Sequence, residues 1–214
     1  MKLFANRLTW GLLLIFAGAI FLLQNLHVLP PSPSLWGTTA LIGGVFFFIG
    51  FLINQEYWWA AFPAFTLLGI ALVTFWDLLH LIQGHGEIQG AAFMGMLGLS
   101  FLVVYLRTLK HWWAIIPAGT IFTIAAMAAW PMFRPESGPF EVGGVFFVGL
   151  GITFLLVFIL PGGERRRGWA LWPATILLIF GGLIIASAME LLGLLWPVAL
   201  ILLGLLIVLR GFRR

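Results

Sequence analysis

The chain has 214 residues, of which 62% are apolar and only 8% charged. A water-soluble domain carries about 25% charged residues, so this chain cannot cover its surface against water, and most of that surface faces lipid. Cysteine is absent, which excludes disulfides, thiolate nucleophiles and cysteine metal sites; the excess of 11 Lys and Arg over 7 Asp and Glu would suggest nucleic acid in a soluble protein, but in a membrane protein it marks cytoplasmic loops.

About 20 apolar residues in helical form cross the hydrocarbon core, at roughly 1.5 Å each. Eight stretches reach that length: 8–28, 36–54, 58–82, 90–108, 112–133, 142–161, 169–189 and 192–210. The first follows a basic start and has an apolar run too long for a signal peptide, with no small-residue cleavage site after it, so it reads as an uncleaved span. Between the spans lie "LPPSPS", "NQE", "QGHGEIQG", "RTLKH", "FRPESGPFE", "PGGERRRG" and "ELLGL", rich in the Pro, Gly, Ser and charge that connectors use. The predicted fold class is all-α, a polytopic membrane helix bundle of about eight transmembrane helices in a single domain over 1–214.

The charges test that count. Eight spans put both termini on one side, together with Lys2, Arg7, Arg107, Lys110, Arg165, Arg166, Arg167, Arg210, Arg213 and Arg214, and leave Arg134 alone on the other. Lys and Arg near span ends favour the cytoplasm, so both termini are expected there. The basic loop with Arg165, Arg166 and Arg167 suits anionic headgroups, and the plainer reading is an ordinary cytoplasmic loop.

Three spans open in the same way, with "WWAAFPA" at 58–64, "WWAIIPA" at 112–118 and "WALWPA" at 169–174. Trp59/Pro63, Trp113/Pro117 and Trp169/Pro173 all keep a spacing of four. Trp settles at headgroup level, and proline is tolerated in a first helical turn, where its missing N–H has no intrahelical partner. Each group therefore reads as an interfacial anchor plus a helix start. If the helix begins upstream, at the Trp pair, the proline falls in its second turn and a kink follows.

The recurrence predicts a repeat of about 55 residues, one two-helix unit each. "GGVFFFIG" at 43–50 matches "GGVFFVGLG" at 143–151, and "WGLLLIFAG" at 10–18 matches "WPVALILLG" at 196–204. The units are four same-orientation helical hairpins, approximately 8–54, 58–108, 112–161 and 169–210, arranged about an axis along the membrane normal. Close packing is expected at small residues four apart: Ala40/Gly44, Ala60/Ala64, Ala91/Gly95, Ala114/Ala118, Ala125/Ala129, Ala170/Ala174 and Gly182/Ala186.

"WPVALILLGLLIVL" at 196–209, "WPATILLIFGGLII" at 172–185 and "GLLLIFAGAIFLLQNL" at 11–26 resemble the hydrophobic hairpins of the LiaI–LiaF-like bacterial transmembrane family. The likeness covers the first and last hairpins best. It implies a bacterial envelope protein; in that family such hairpins often precede a soluble β-rich domain, and some members regulate envelope-stress signalling. The eight predicted spans leave no stretch for such a domain here.

Chemistry has few places to hide. Ionisable groups in mid-membrane are functional by default, and no predicted span carries one near its middle. Asp77 and His80, three apart on one helical face, lie with His85 and Glu87 near the end of the third span; four such groups could hold a divalent metal, and the plainer reading is a wet loop. Ser100, Thr120, Thr123 and Thr153 are the mid-depth hydroxyls, expected to bond back to the preceding turn or else to line a polar path. No phosphate loop, nucleophile–base pair or zinc motif is present. The sequence thus predicts a multi-pass protein of the bacterial inner membrane with a structural, scaffolding or regulatory role, not an enzyme, with no cofactor. Its partners are the lipid bilayer and other membrane proteins or further copies of itself, and not nucleic acid. The alternative is a small permease or channel with a path between the hairpins.

Overall fold

The computed structural model describes residues 7–28, 32–78, 86–162, 167–188, 197–198 and 200–205. These are helical throughout, with no strand among them. The helices are α1 (Arg7–Asn25), α2 (Pro33–Ile53), α3 (Ala61–Leu78), α4 (Gly86–Arg107), α5 (Ile115–Phe133), α6 (Pro139–Ile159) and α7 (Leu171–Ala188). Short 3₁₀ turns, Gln55–Ala60, Leu109–Ala114 and Gly168–Ala170, lead into α3, α5 and α7. Six helices, α2 to α7, are long and apolar enough to cross a membrane, and the chain is on that ground a multi-pass membrane protein. Of the two outer predicted spans, 8–28 is helical as α1, and 192–210 is helical at 197–198 and 200–205 and otherwise lies outside the described residues.

Three predicted connectors are shorter than expected. Pro33 opens α2, Gly86 opens α4 and Pro139 opens α6, so residues counted as loop form first turns. The first N–H groups of a helix have no intrahelical acceptor, so Pro costs nothing there. Acidic side chains are favourable at the same place beside the positive end of the helix dipole, where Glu87 and Glu141 sit.

The Trp–Pro groups explain the 3₁₀ turns. Pro63, Pro117 and Pro173 are each the third residue of their α-helix. A proline cannot donate to the carbonyl four residues earlier, and its ring crowds that carbonyl. Four residues earlier stands the conserved-spacing tryptophan, Trp59, Trp113 or Trp169. The chain answers by tightening: the N–H of Ala61 reaches the carbonyls of Trp58 and Trp59, that of Ile115 those of Trp112 and Trp113, and that of Leu171 those of Gly168 and Trp169. Upstream, the backbone steps out of helical angles at Tyr57 (φ −90°, ψ 34°) and His111 (φ −84°, ψ 41°). Arg167 takes nearly the same angles (φ −85°, ψ 55°) before the third turn. Each proline thus stands in the first turn of its α-helix, and the departure from helical angles lies upstream of the tryptophans.

Consecutive helices from α2 to α7 pack side by side, and the most extensive contacts are those of α2–α3, α4–α5 and α6–α7. These are joined through the Trp–Pro connectors, whereas the sequence grouping had paired α3 with α4 and α5 with α6. Small residues decide which faces meet. A Cβ on Gly181 would lie 2.7 Å from Val148 N and 2.9 Å from Gly144 O, so α6 and α7 touch backbone to backbone. Of the expected small pairs, Ala40/Gly44, Ala60/Ala64, Ala114/Ala118 and Ala170/Ala174 are buried, while Ala91/Gly95, Ala125/Ala129 and Gly182/Ala186 are not. The largest buried cluster gathers at the Trp–Pro end, around Phe47, Phe51, Phe65, Val104, Tyr105, Ile115 and Val157.

Candidate functional site

Two regions bring polar and aromatic side chains together. The first is the Trp–Pro end. Here the buried Tyr105 donates its hydroxyl to the Pro161 carbonyl at 2.7 Å, linking α4 to the end of α6. Arg107, in the last turn of α4, donates to the carbonyls of Phe51 and Leu52 and lies 4.3 Å over the Phe51 ring. Those carbonyls are unpaired by the helix itself and carry the negative end of its dipole, so a guanidinium is the natural cap. His111 lies tilted against Trp58 at 5.2 Å between centroids, and Trp58 meets Trp113 edge to face at 6.0 Å.

Arg167 departs from its expected place in a wet basic loop. It is only 8% exposed. It donates to the Leu160 carbonyl at 2.7 Å, and its guanidinium lies 4.9 Å over the Trp112 ring, a cation–π contact that is stronger when desolvated. Arg165 and Arg166 lie outside the described residues. Among the interfacial anchors, Trp59 is half-buried against Phe47. Trp113 is 38% and Trp169 50% exposed. Pro63, Pro117 and Pro173 are half-buried.

The second region lies at mid-depth and beyond, where α5 and α6 cross. Gly119 faces Thr153, and Thr123 faces Gly149, so that a Cβ on either glycine would collide with the opposing threonine. The two G-x-x-x-T stretches, 119–123 and 149–153, run antiparallel and interlock. Thr123 donates to the Gly119 carbonyl at 2.8 Å and Thr153 to Gly149 at 2.9 Å. Ser100 and Thr120 likewise donate to Leu97 and Ile116. All four mid-depth hydroxyls bond back to their own helices, as expected.

Along the crossing a groove of about 390 Å³ opens among α5, α6 and the Ile185 side chain of α7, with Gly119, Thr123, Gly149 and Thr153 in its lining. Phe122, Ala126 and Trp130 form one wall and Val145, Val148 and Ile152 the other. At the far end Trp130 donates its indole N–H to Glu141 at 3.1 Å, and Arg134 pairs with the same carboxylate oxygen at 3.2 Å. Glu141 is 4% exposed. A buried carboxylate needs such partners. Sequence reasoning placed Arg134 and Glu141 in one connector but had no signal for their union, since the pairing needs the α5–α6 turn to close. The chain matches no protein-family model, no curated protein and no solved structure with which it was compared.

The candidate metal ligands are not brought together in what is described. Glu87 is exposed in the first turn of α4; Asp77 ends α3 with its side chain outside the described residues, as are His80 and His85. No group of three metal-binding side chains occurs among the described residues.

Proposed function

We propose that this is a structural, scaffolding or regulatory protein of the bacterial inner membrane, non-catalytic and without a cofactor. In this reading it has eight spans in four same-orientation hairpins of one repeat, both termini are cytoplasmic, and it serves as a subunit of a larger membrane assembly. The LiaI–LiaF-like resemblance fits an envelope protein of this kind. The observation that carries the reading is the use of the mid-depth hydroxyls. Ser100, Thr120, Thr123 and Thr153 each spend their proton on their own helix, and the groove beside Thr123 and Thr153 is otherwise lined by apolar side chains. A solute path needs polar groups turned toward it, near the midplane and where helices are broken. The prolines here break helices only toward their ends. Extraction in mild detergent, a native gel and mass spectrometry of what co-migrates test the proposal. A stoichiometric protein partner is the expected result. A bare particle that carries solute across liposomes would replace this reading with a small permease or channel.

A further inference from the structure

One packing contact recurs along the helices. A Cβ on Gly44 of α2 would lie 2.8 Å from the Leu68 side chain of α3. One on Gly98 of α4 would lie 3.0 Å from the Phe122 ring of α5, and one on Gly151 of α6 2.7 Å from the Leu178 side chain of α7. The backbone nitrogens of Leu68 and Leu178 come within 3.0 Å of the same points. Each glycine is a seat, and each large side chain is the knob that fills it. In lipid, helices gain little from burial alone, and close approach of this kind supplies the contact. The register is strict. The knobs stand seven residues after Ala61, Ile115 and Leu171, the first residues of their helices. The seats stand 54 and then 53 residues apart.

Two further positions keep this register and are open. Leu14 stands seven residues after Arg7, the first residue of α1, and is 72% exposed. Gly204 stands 53 residues after Gly151, in the helical stretch 200–205. It is exposed, and a Cβ there would meet nothing within 4 Å. One is a knob without a seat, and the other a seat without a knob. Within the single chain both lie uncovered, and the extensive contacts among the described helices join consecutive ones from α2 to α7. We propose that the two meet between copies: Leu14 of one copy seats on Gly204 of a second, which continues the α2–α3, α4–α5 and α6–α7 contact across a subunit boundary. A head-to-tail contact closes into a ring when the rotation between copies returns to its start. The smallest closed form has two copies and two identical junctions. The proposal rests on the scaffold reading, in which α1 and 192–210 are spans, and names a second copy of this chain as a partner.

The chain has no cysteine, so single cysteines report the junction directly. Two differently tagged chains, Leu14→Cys and Gly204→Cys, are co-expressed and oxidised with copper phenanthroline in native membranes. A disulfide product that carries both tags, shifted to the mass of two chains, is expected. Leu14→Cys paired with Ile176→Cys, an exposed position on α7, gives none. Native mass spectrometry of the unchanged chain in mild detergent is expected to show the dimer. Gly204→Ile fills the seat and shifts the particle to a monomer. Gly182→Ile, at an exposed α7 glycine whose Cβ would also meet nothing, leaves the dimer intact. Absence of the two-tag product would overturn the junction. So would equal behaviour of the two isoleucine variants, or a Leu14→Cys/Gly204→Cys double variant that closes within one chain in place of between chains. None of these readouts depends on whether a foreign protein co-migrates, so the scaffold reading fails separately.

Discussion

The two ends of the helices are built differently. At the Trp–Pro end, helices two apart in sequence are tied together: Arg107 reaches from α4 to the end of α2, and Tyr105 reaches from α4 to Pro161 after α6. Aromatic rings from successive connectors also meet there, with His111 and Trp113 against Trp58. At the opposite end the polar contacts described join only α5 to its neighbour α6, through Trp130, Arg134 and Glu141, and close approach relies on glycine. The contrast teaches where order comes from in lipid. Helix faces gain little from burial against one another when the solvent is equally apolar, so small residues set the distance between neighbours. Hydrogen bonds to free carbonyls at helix ends then set the larger arrangement.

The heaviest blow should fall where backbones touch. Gly181→Leu forces a side chain against Val148 N and the Gly144 carbonyl, and is expected to cost about 3 kcal/mol by overpacking. Thermal unfolding in detergent, followed by circular dichroism, reads it. A loss under about 1 kcal/mol would mean that α6 and α7 can slide apart freely, and that the opposite end is looser than described. Arg107→Ala comes next, at about 2 kcal/mol, because it leaves the Phe51 and Leu52 carbonyls without their cap. Its counterpart Arg134→Ala leaves the buried Glu141 carboxylate with the Trp130 N–H but without its charge partner, and should cost a similar amount, about 2 kcal/mol. A loss under about 0.5 kcal/mol would mean that Glu141 does not depend on Arg134. Tyr105→Phe deletes one hydrogen bond and should cost about 1 kcal/mol; the same melt resolves it. Pro63→Ala should change stability by less than about 1 kcal/mol while restoring a donor to the Trp59 carbonyl. Amide exchange across 59–63 should slow as the 3₁₀ turn becomes α-helical, and unchanged exchange would mean that the proline is not what tightens the turn.

Much of this architecture was legible in the residues. Runs of apolar residues located α2 to α7, and the spacing of Trp and Pro located the starts of α3, α5 and α7. The starts of α2, α4 and α6 were read several residues late, because Pro33, Gly86 and Pro139 look like loop until the tolerance of a first turn is allowed for. The back-bonding of Ser100, Thr120, Thr123 and Thr153 was also foreseeable, being a contact within four residues. What escaped was every contact over longer range. The alternatives for Arg167 were a loop or a headgroup site, and its place over Trp112 spans 54 intervening residues. The closer packing of helices across the Trp–Pro connectors was hidden for the same reason. So was the Trp130–Glu141 contact, which joins two helices whose facing sides carry almost no amphipathic pattern.

The ring contacts between successive connectors bear on how the protein is made. His111 rests on Trp58, and Arg167 rests on Trp112. In both cases the platform lies about 55 residues nearer the N-terminus than the group that lands on it. At a synthesis rate of about 5–20 residues per second, the platform leaves the ribosome roughly 3–11 s ahead. Each platform is thus made before the group that lands on it, so the order of synthesis suits the order in which this end can be closed.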